Sequence, residues 1–201
     1  MAALRKLSRE SGGRLRVVAL DVSSDRSVQR AAASVAAKSG GVDVLINNAA
    51  VGGGDDDRLK TLDVAGMAGV LNINVVGPLR VAKAFVPVLR KARTGKRRPK
   101  ITNISSGLGA IGAMRDCQAL AYGTSKAGVN YLSRALAFDL KKDGIIVAAV
   151  SPGWVRTDMG GKDAPLSPEE SAAGIAKVVE RLTMKDSGAW FNWNGKRNRE
   201  W

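Results

Sequence analysis

The sequence predicts a single α/β domain over residues 1–201, with a parallel sheet covered by helices on both faces. Three observations predict it. Short apolar runs alternate along the chain with longer stretches of helical periodicity. The runs are apolar almost without a break, as in "VDVLINNAA", which suits strands buried on both faces of a parallel sheet. A chain of 201 residues can hold one sizeable core but not two ordinary ones, and it contains no repeat and no linker.

The elements follow in order. "AALRKLSRES" reads as the end of an amphipathic helix, followed by a glycine turn and the strand-like "LRVVALDV" at 15–22. "DRSVQRAAASVAAKSG" (25–40) has helical spacing and stops at Gly40 and Gly41, and "VDVLINNAA" (42–50) is the next strand. After the turn-rich "VGGGDDD", helical patterns run to residue 92, interrupted by Pro78 and Pro87, which should bend or cap them. "KITNISS" (100–106) is a strand, "AYGTSKAGVNYLSRALAFDLKKDG" (121–144) a helix ended by Gly144, and "IIVAAVSPG" (145–153) a strand. Ser167-Pro168-Glu169-Glu170 is a helix-start signal, so 167–183 reads as the last helix.

Two absences remove whole mechanisms. Without histidine there is no Ser–His–Asp triad, Cys–His dyad or HExxH zinc site. Cys117 stands alone, so there is no internal disulfide and no cysteine-held metal; a reducing compartment fits, and the cytoplasm is expected. The N-terminus lacks the apolar core of a secretory signal, and the apolar runs read as too short for a bilayer. No membrane partner is expected.

The net charge of +14 gathers in "RKARTGKRRPK" (90–100), with seven basic residues and no acid. Such a run can bind nucleic acid, but no aromatic residue is interleaved to stack on bases. It reads as a solvated loop, with no specific nucleic-acid partner.

"SSGLGAIG" (105–112) contains Gly107, Gly109 and Gly112 in the G-x-G-x-x-G spacing of a dinucleotide cradle. That cradle requires a helix opening within the glycines and an acid closing the next strand. Here the helix starts nearer Ala121 and the next strand ends in "VSPG". The glycines therefore read as a loop, and the chemistry lies on either side of them. Tyr122 and Lys126 are four apart on one helix face, so an ammonium can act on a phenol and draw its pKa down from about 10. Ser106 ends a strand at the sheet edge where ligands of open α/β folds bind.

Taken together, "LDV", "LINNAA", "NINVVGP", "NISS", "YGTSKAG" and "SPGWVRTDM", in this order, resemble the short-chain dehydrogenase/reductase family over nearly the whole chain. Within it, "SPGWVRTDMGG" and the aromatic end resemble the C-factor and sniffer-type carbonyl reductases. The resemblance implies a Rossmann-like, doubly wound sheet, NADP as cofactor (NAD the alternative) and a small carbonyl or alcohol as substrate. It also allows a homo-oligomer paired through the long helices around Asn74 and Tyr122.

The resemblance assigns roles to matching positions. Tyr122 is the general acid/base, Lys126 lowers its pKa and holds the nicotinamide ribose, and Ser106 hydrogen-bonds the substrate carbonyl. Asn74 sits at a helix kink and holds the water of a proton relay. Asp21 and Val22 flank the adenine, and Asn48 and Ala49 line the cofactor cleft. Pro152, Gly153, Val155 and Thr157 contact the nicotinamide end. Plainer readings stand beside these. Ser105 could be the working serine, Asn48 could tie two strands together, Asn74 could merely bend its helix, and Asp21 could precede a helix cap. The sequon at Asn103 reads as a buried strand end.

One part of the family pattern has no match: the opening strand, the T-G-x-x-x-G-x-G turn, its helix and the second strand. The expectation is a domain lacking its first β-α-β unit of roughly 30 or more residues. That leaves the proton-transfer residues present and the pyrophosphate anchor missing. The rival expectation is a non-catalytic reductase fold kept as a binding or regulatory protein.

Overall fold

The computed structural model describes residues 2–54, 58–92, 98–117, 119–199 and 201. Its helices are α1 (Ala2–Glu10), α2 (Asp25–Ala36), α3 (Val64–Leu71), α4 (Gly77–Ala92), α5 (Leu120–Asp139) and α6 (Pro168–Arg181). The strands are β1 (Val44–Asn47), β2 (Lys100–Ile104), β3 (Ile146–Ser151) and β4 (Trp190–Asn192). They form one parallel sheet in the order β1-β2-β3-β4.

β3 is central and buried along its whole length, which explains its unbroken apolar run. Val147 points into a core with Val81, Phe85, Leu89 of α4 and Ala137 of α5. Ile146, Ala148 and Val150 point the other way, against Val178 and Leu182 of α6 and its exit. The two-residue period of the strand thus feeds two cores, one per face. The sheet is doubly wound, as expected.

Local signals held where chemistry forces them. The Ser167 hydroxyl accepts from the Glu170 amide at 3.1 Å while Glu170 accepts from the Ser167 amide at 2.9 Å, with Pro168 in the first turn. The glycine run opens no α-helix: Gly107–Gly109 is one 3-10 turn capped by Ser106, and α5 begins at Leu120. Asn103 is fully buried in β2.

Other expectations need correction. Residues 15–22 form no strand. Leu15, Val17 and Leu20 remain about two-fifths exposed, since among the described residues no strand lies beside this segment to complete a ladder. A groove of 190 Å³ lined by Leu20 and Val22 on one side and by Leu45, Ile46 and Asn47 on the other separates it from β1. β1 is accordingly an open edge, with Val44 and Ile46 exposed. A larger hollow of 1180 Å³ runs from Val44 and Ile46 to Val179, Leu182 and Met184 beside α6.

Gly144 does not end α5, which stops at Asp139; it takes a left-handed turn (φ 68°) on the way into β3. β4, in the aromatic tail, has no counterpart among the expected strands. Finally, α3, a π turn at Asn72–Val76 and α4 join into one 29-residue helical run, Val64–Ala92, with mean hydropathy 1.4 in its most apolar stretch. By length and composition it is long enough to cross a membrane, contrary to the sequence expectation. Its Val81, Ala82, Phe85, Val88 and Leu89 are instead buried in the domain core.

The basic run at 90–100 lies partly outside the described residues. Among its described cations, Arg90 makes a two-pronged bond to Asp143 (2.9 and 2.7 Å). Lys100 donates to the Val179 and Glu180 carbonyls at the end of α6. These ends of the run serve the fold.

Candidate active site

The C-terminal edge of the sheet collects the chemistry. β2 leaves the sheet through Ser105 and Ser106, and α5 returns over it with Tyr122 in its first turn and Lys126 one turn on. The Ser106 hydroxyl lies close enough to the Tyr122 phenol to favour its charged form. Lys126, only 3% exposed, donates from Nζ to the Ile104 carbonyl at 2.9 Å, and its Nζ lies 5.3 Å from the centre of the Tyr122 ring. Ser106, Tyr122 and Lys126 are therefore brought together.

Burial sets the electrostatics. It pushes the Tyr122 phenol above its ordinary value, and the nearby Ser106 hydroxyl only partly offsets this. Burial also pulls the Lys126 ammonium down to about 8. The sequence expectation that Lys126 draws Tyr122 toward neutrality is not met in this arrangement. The ammonium is directed at a backbone carbonyl, and the burial of the phenol itself raises its pKa. Tyr122 is consequently a protonated phenol at neutral pH.

Ser105 and Ser106 divide their work by burial. Ser105 is 1% exposed and donates to Asn130 Oδ1 at 2.6 Å. Ser106 is half-buried and faces Tyr122.

Asn74 is buried in the π turn, where the kink was expected. Its Oδ1 accepts from the Val51 amide at 2.9 Å, and its Nδ2 donates to the Val51 carbonyl (2.8 Å) and to Ser125 Oγ (3.0 Å). Ser125 in turn donates to the Tyr122 carbonyl at 2.7 Å. Asn74 thus ties the exit of β1 to the turn of α5 that carries Tyr122.

Of the residues expected around a cofactor, Val22, Asn48 and Ala49 line one groove together with Leu20 and Pro78. Asp21 is engaged locally. Its carboxylate accepts from the Ser23 hydroxyl (2.6 Å) and amide (2.9 Å), which hold it below the usual carboxylate range. Its contacts are those of a turn residue ahead of the Ser24 cap of α2.

Pro152, Gly153, Val155 and Thr157 follow β3 on one loop. The Pro152 carbonyl accepts from Ser171, and Val155 bridges to Leu166. Gly153 takes a left-handed backbone conformation (φ 80°), which strains any residue with a side chain. The Thr157 hydroxyl accepts from the Gly160 amide at 3.1 Å and so caps its own turn.

Sequence reasoning passed over a second layer. Asn47 Nδ2 donates to Asn103 Oδ1 (2.8 Å), Asn103 Nδ2 donates to Ser133 Oγ (2.9 Å), and Ser133 donates to the Val129 carbonyl (2.7 Å). Strand-tying therefore falls to Asn47, not Asn48. A signal for this layer exists: Tyr122, Lys126, Asn130 and Ser133 recur at helical spacing, a polar stripe on the face of α5 that the fold buries.

The short chain dehydrogenase family model matches residues 1–166. The chain belongs to the short-chain dehydrogenase family. This short-chain dehydrogenase is 40% identical over 156 residues to the C-signal of Myxococcus xanthus, covering 78% of this chain and 91% of that protein. Its fold superimposes with a TM-score of 0.91 on the NADPH-bound carbonyl reductase from chicken fatty liver, 36% identical, covering 98% of this chain and 81% of that one. It matches the carbonyl reductase Sniffer of D. melanogaster with the same TM-score, at 30% identity and 98% and 82% coverage. By family the protein is an NAD(P)-dependent short-chain oxidoreductase with a Rossmann-like sheet.

Proposed function

We propose that this short-chain dehydrogenase reduces a small carbonyl compound with NADP as cofactor, Ser106, Tyr122 and Lys126 forming its proton-transfer site. The observation that carries this is the gathering of Ser106, at the exit of β2, with Tyr122 and the Lys126 ammonium, whose Nζ lies 5.3 Å from the centre of the Tyr122 ring. The NADPH bound to the chicken carbonyl reductase supports the choice of cofactor.

The residues present fit one half of that cofactor. Lys126 and Tyr122, with Asn48 and Ala49 in the groove beside β1, would hold the nicotinamide and its ribose, and Pro152 to Thr157 would close over them. When bound, the cofactor supplies the hydride. The protein's own part is the proton. Tyr122, kept as a phenol by burial, donates to the substrate oxygen as charge develops there, and the Ser106 hydroxyl gives that oxygen a second donor. Lys126 stabilises the phenolate left behind, and Asn74 braces the turn of α5 through Ser125.

The other half fits poorly. Among the described residues, no glycine turn at a helix N-terminus lies beside the Val22–Ala49 groove to take a pyrophosphate. The open edge of β1 and the hollow beside α6 leave apolar surface of the sheet uncovered among the described residues. They favour the second reading, a reductase fold retained as a binding or regulatory protein. The exposed Tyr131 and Phe138 on α5 suit pairing into a homo-oligomer, and the free Cys117 suits the cytoplasm.

The test is cofactor-dependent reduction of a panel of small carbonyls by the wild type and Tyr122→Phe. Loss of a general acid should lower the rate about a hundredfold or more. A wild type with no activity to lose sinks the enzyme reading for this chain.

A further inference from the structure

Asn130 lies two turns beyond Tyr122 on α5, is 2% exposed and touches none of the atoms assigned to the reaction above. Its two amide atoms reach residues on either side of Ser106. Oδ1 accepts from Ser105 Oγ at 2.6 Å, and Nδ2 donates to the Gly109 carbonyl at 3.1 Å. The orientation is fixed by chemistry. A backbone carbonyl can only accept, so the NH2 must face Gly109, and the Ser105 hydroxyl must then be the donor.

The turn held this way has no slack. Gly109 lies flat on α5, where a Cβ would fall 2.7 Å from the Lys126 carbonyl carbon and 2.9 Å from the Ala127 nitrogen. Ser106 itself is extended (φ −159°, ψ 154°) and accepts from the Leu108 amide at 3.2 Å. Gly107 and Leu108 are exposed, so the turn is held to α5 from its two ends, at Ser105 and Gly109.

We propose that Asn130 is a positioning residue for the carbonyl reduction, bracketing Ser106 between Ser105 and Gly109 and so holding its hydroxyl against Tyr122. The proposal rests on the reading of Ser106 and Tyr122 as the proton-transfer pair. An amide is required, because one side chain must present an acceptor to Ser105 and a donor to Gly109. Aspartate supplies no donor and leucine supplies neither group. A misplacement of this kind costs the chemical step more than binding, because the substrate pocket is left intact while the donor is turned away.

Two readouts test it in the full chain, one of them independent of activity. The first is hydrogen exchange of the Gly109 and Ala110 amides, which are bonded to the Ser106 and Gly107 carbonyls at 3.0 Å. In Asn130→Ala their exchange should rise about tenfold or more, while the β3 amides keep wild-type protection. The second is the kinetic split: kcat should fall about tenfold to a hundredfold with KM little changed, and Asn130→Asp should behave like Asn130→Ala. If Asn130→Ala does not fold, Ser105→Ala removes one of the two bonds alone and should give smaller effects in the same directions. Turn amides that stay protected in a folded variant overturn the proposal, as does an unchanged kcat once the turn has loosened. If the wild type shows no reduction at all, the functional reading fails, and the exchange result still decides whether Asn130 holds the turn.

Discussion

Lys126 makes the buried site measurable without any cofactor. Its ammonium is 3% exposed and titrates near 8 in place of 10.5, because burial penalises the charged form. The sign follows from proton counting. Below about pH 8 the folded and unfolded chains both hold the proton, and the desolvation cost is fully present. Between about 8 and 10.5 the unfolded chain holds a proton that the folded chain has released, so stability rises with pH. A displacement of this size corresponds to about 3 kcal/mol across the window. The perturbation is Lys126→Met, which keeps the stem's volume and removes the charge. It also leaves the Ile104 carbonyl without this donor, a pH-independent cost of about 1–3 kcal/mol. Urea unfolding at intervals from pH 7 to 10 gives both curves. The difference between wild type and variant should move in favour of the wild type by about 2–3 kcal/mol as pH rises. A difference that stays flat with pH would show that Lys126 is not desolvated and would contradict the buried position of its ammonium.

Three further outcomes follow from the same structure. Calorimetry of the 201-residue chain should find NADPH binding very weak or absent, and micromolar affinity would overturn the half-site reading. Ser167→Ala removes one side of the capping box of α6 and should cost about 1 kcal/mol in urea unfolding, whereas a change below a few tenths would say the cap is idle. Gly109→Ala forces a Cβ onto the backbone of Lys126 and should destabilise by about 1–3 kcal/mol, with faster exchange in the Ser106 turn. A neutral result there would mean the turn does not lie flat on α5.

Where the sequence was legible, the cause was local. The capping signal at Ser167 acts through neighbours along the chain, and the apolar runs of β2 and β3 act through burial on both faces, whereas β1, expected to be buried like them, is left exposed at Val44 and Ile46. Ser106, Tyr122 and Lys126 were legible because a strand end and a four-residue helical spacing place them together. Residues 15–22 were misread because a strand is a property of a pair, and the sequence carries no record of whether a partner is beside it. The pKa of Tyr122 was misread for a similar reason: helical spacing brings Lys126 near but does not say that its ammonium turns to Ile104. Asn130 and Asn47 escaped because a buried amide and an exposed one look alike in sequence until the facing element is known. The polar stripe on α5 was the one available sign.

The most direct test follows the hydride itself. NADPH deuterated at the transferring carbon, supplied at millimolar concentration to offset weak binding, is incubated with a small ketone and either wild type or Tyr122→Phe. The account predicts alcohol carrying deuterium on the former carbonyl carbon with the wild type, and about a hundredfold less of it with Tyr122→Phe. Equal product from the two proteins, or alcohol without deuterium, would contradict it.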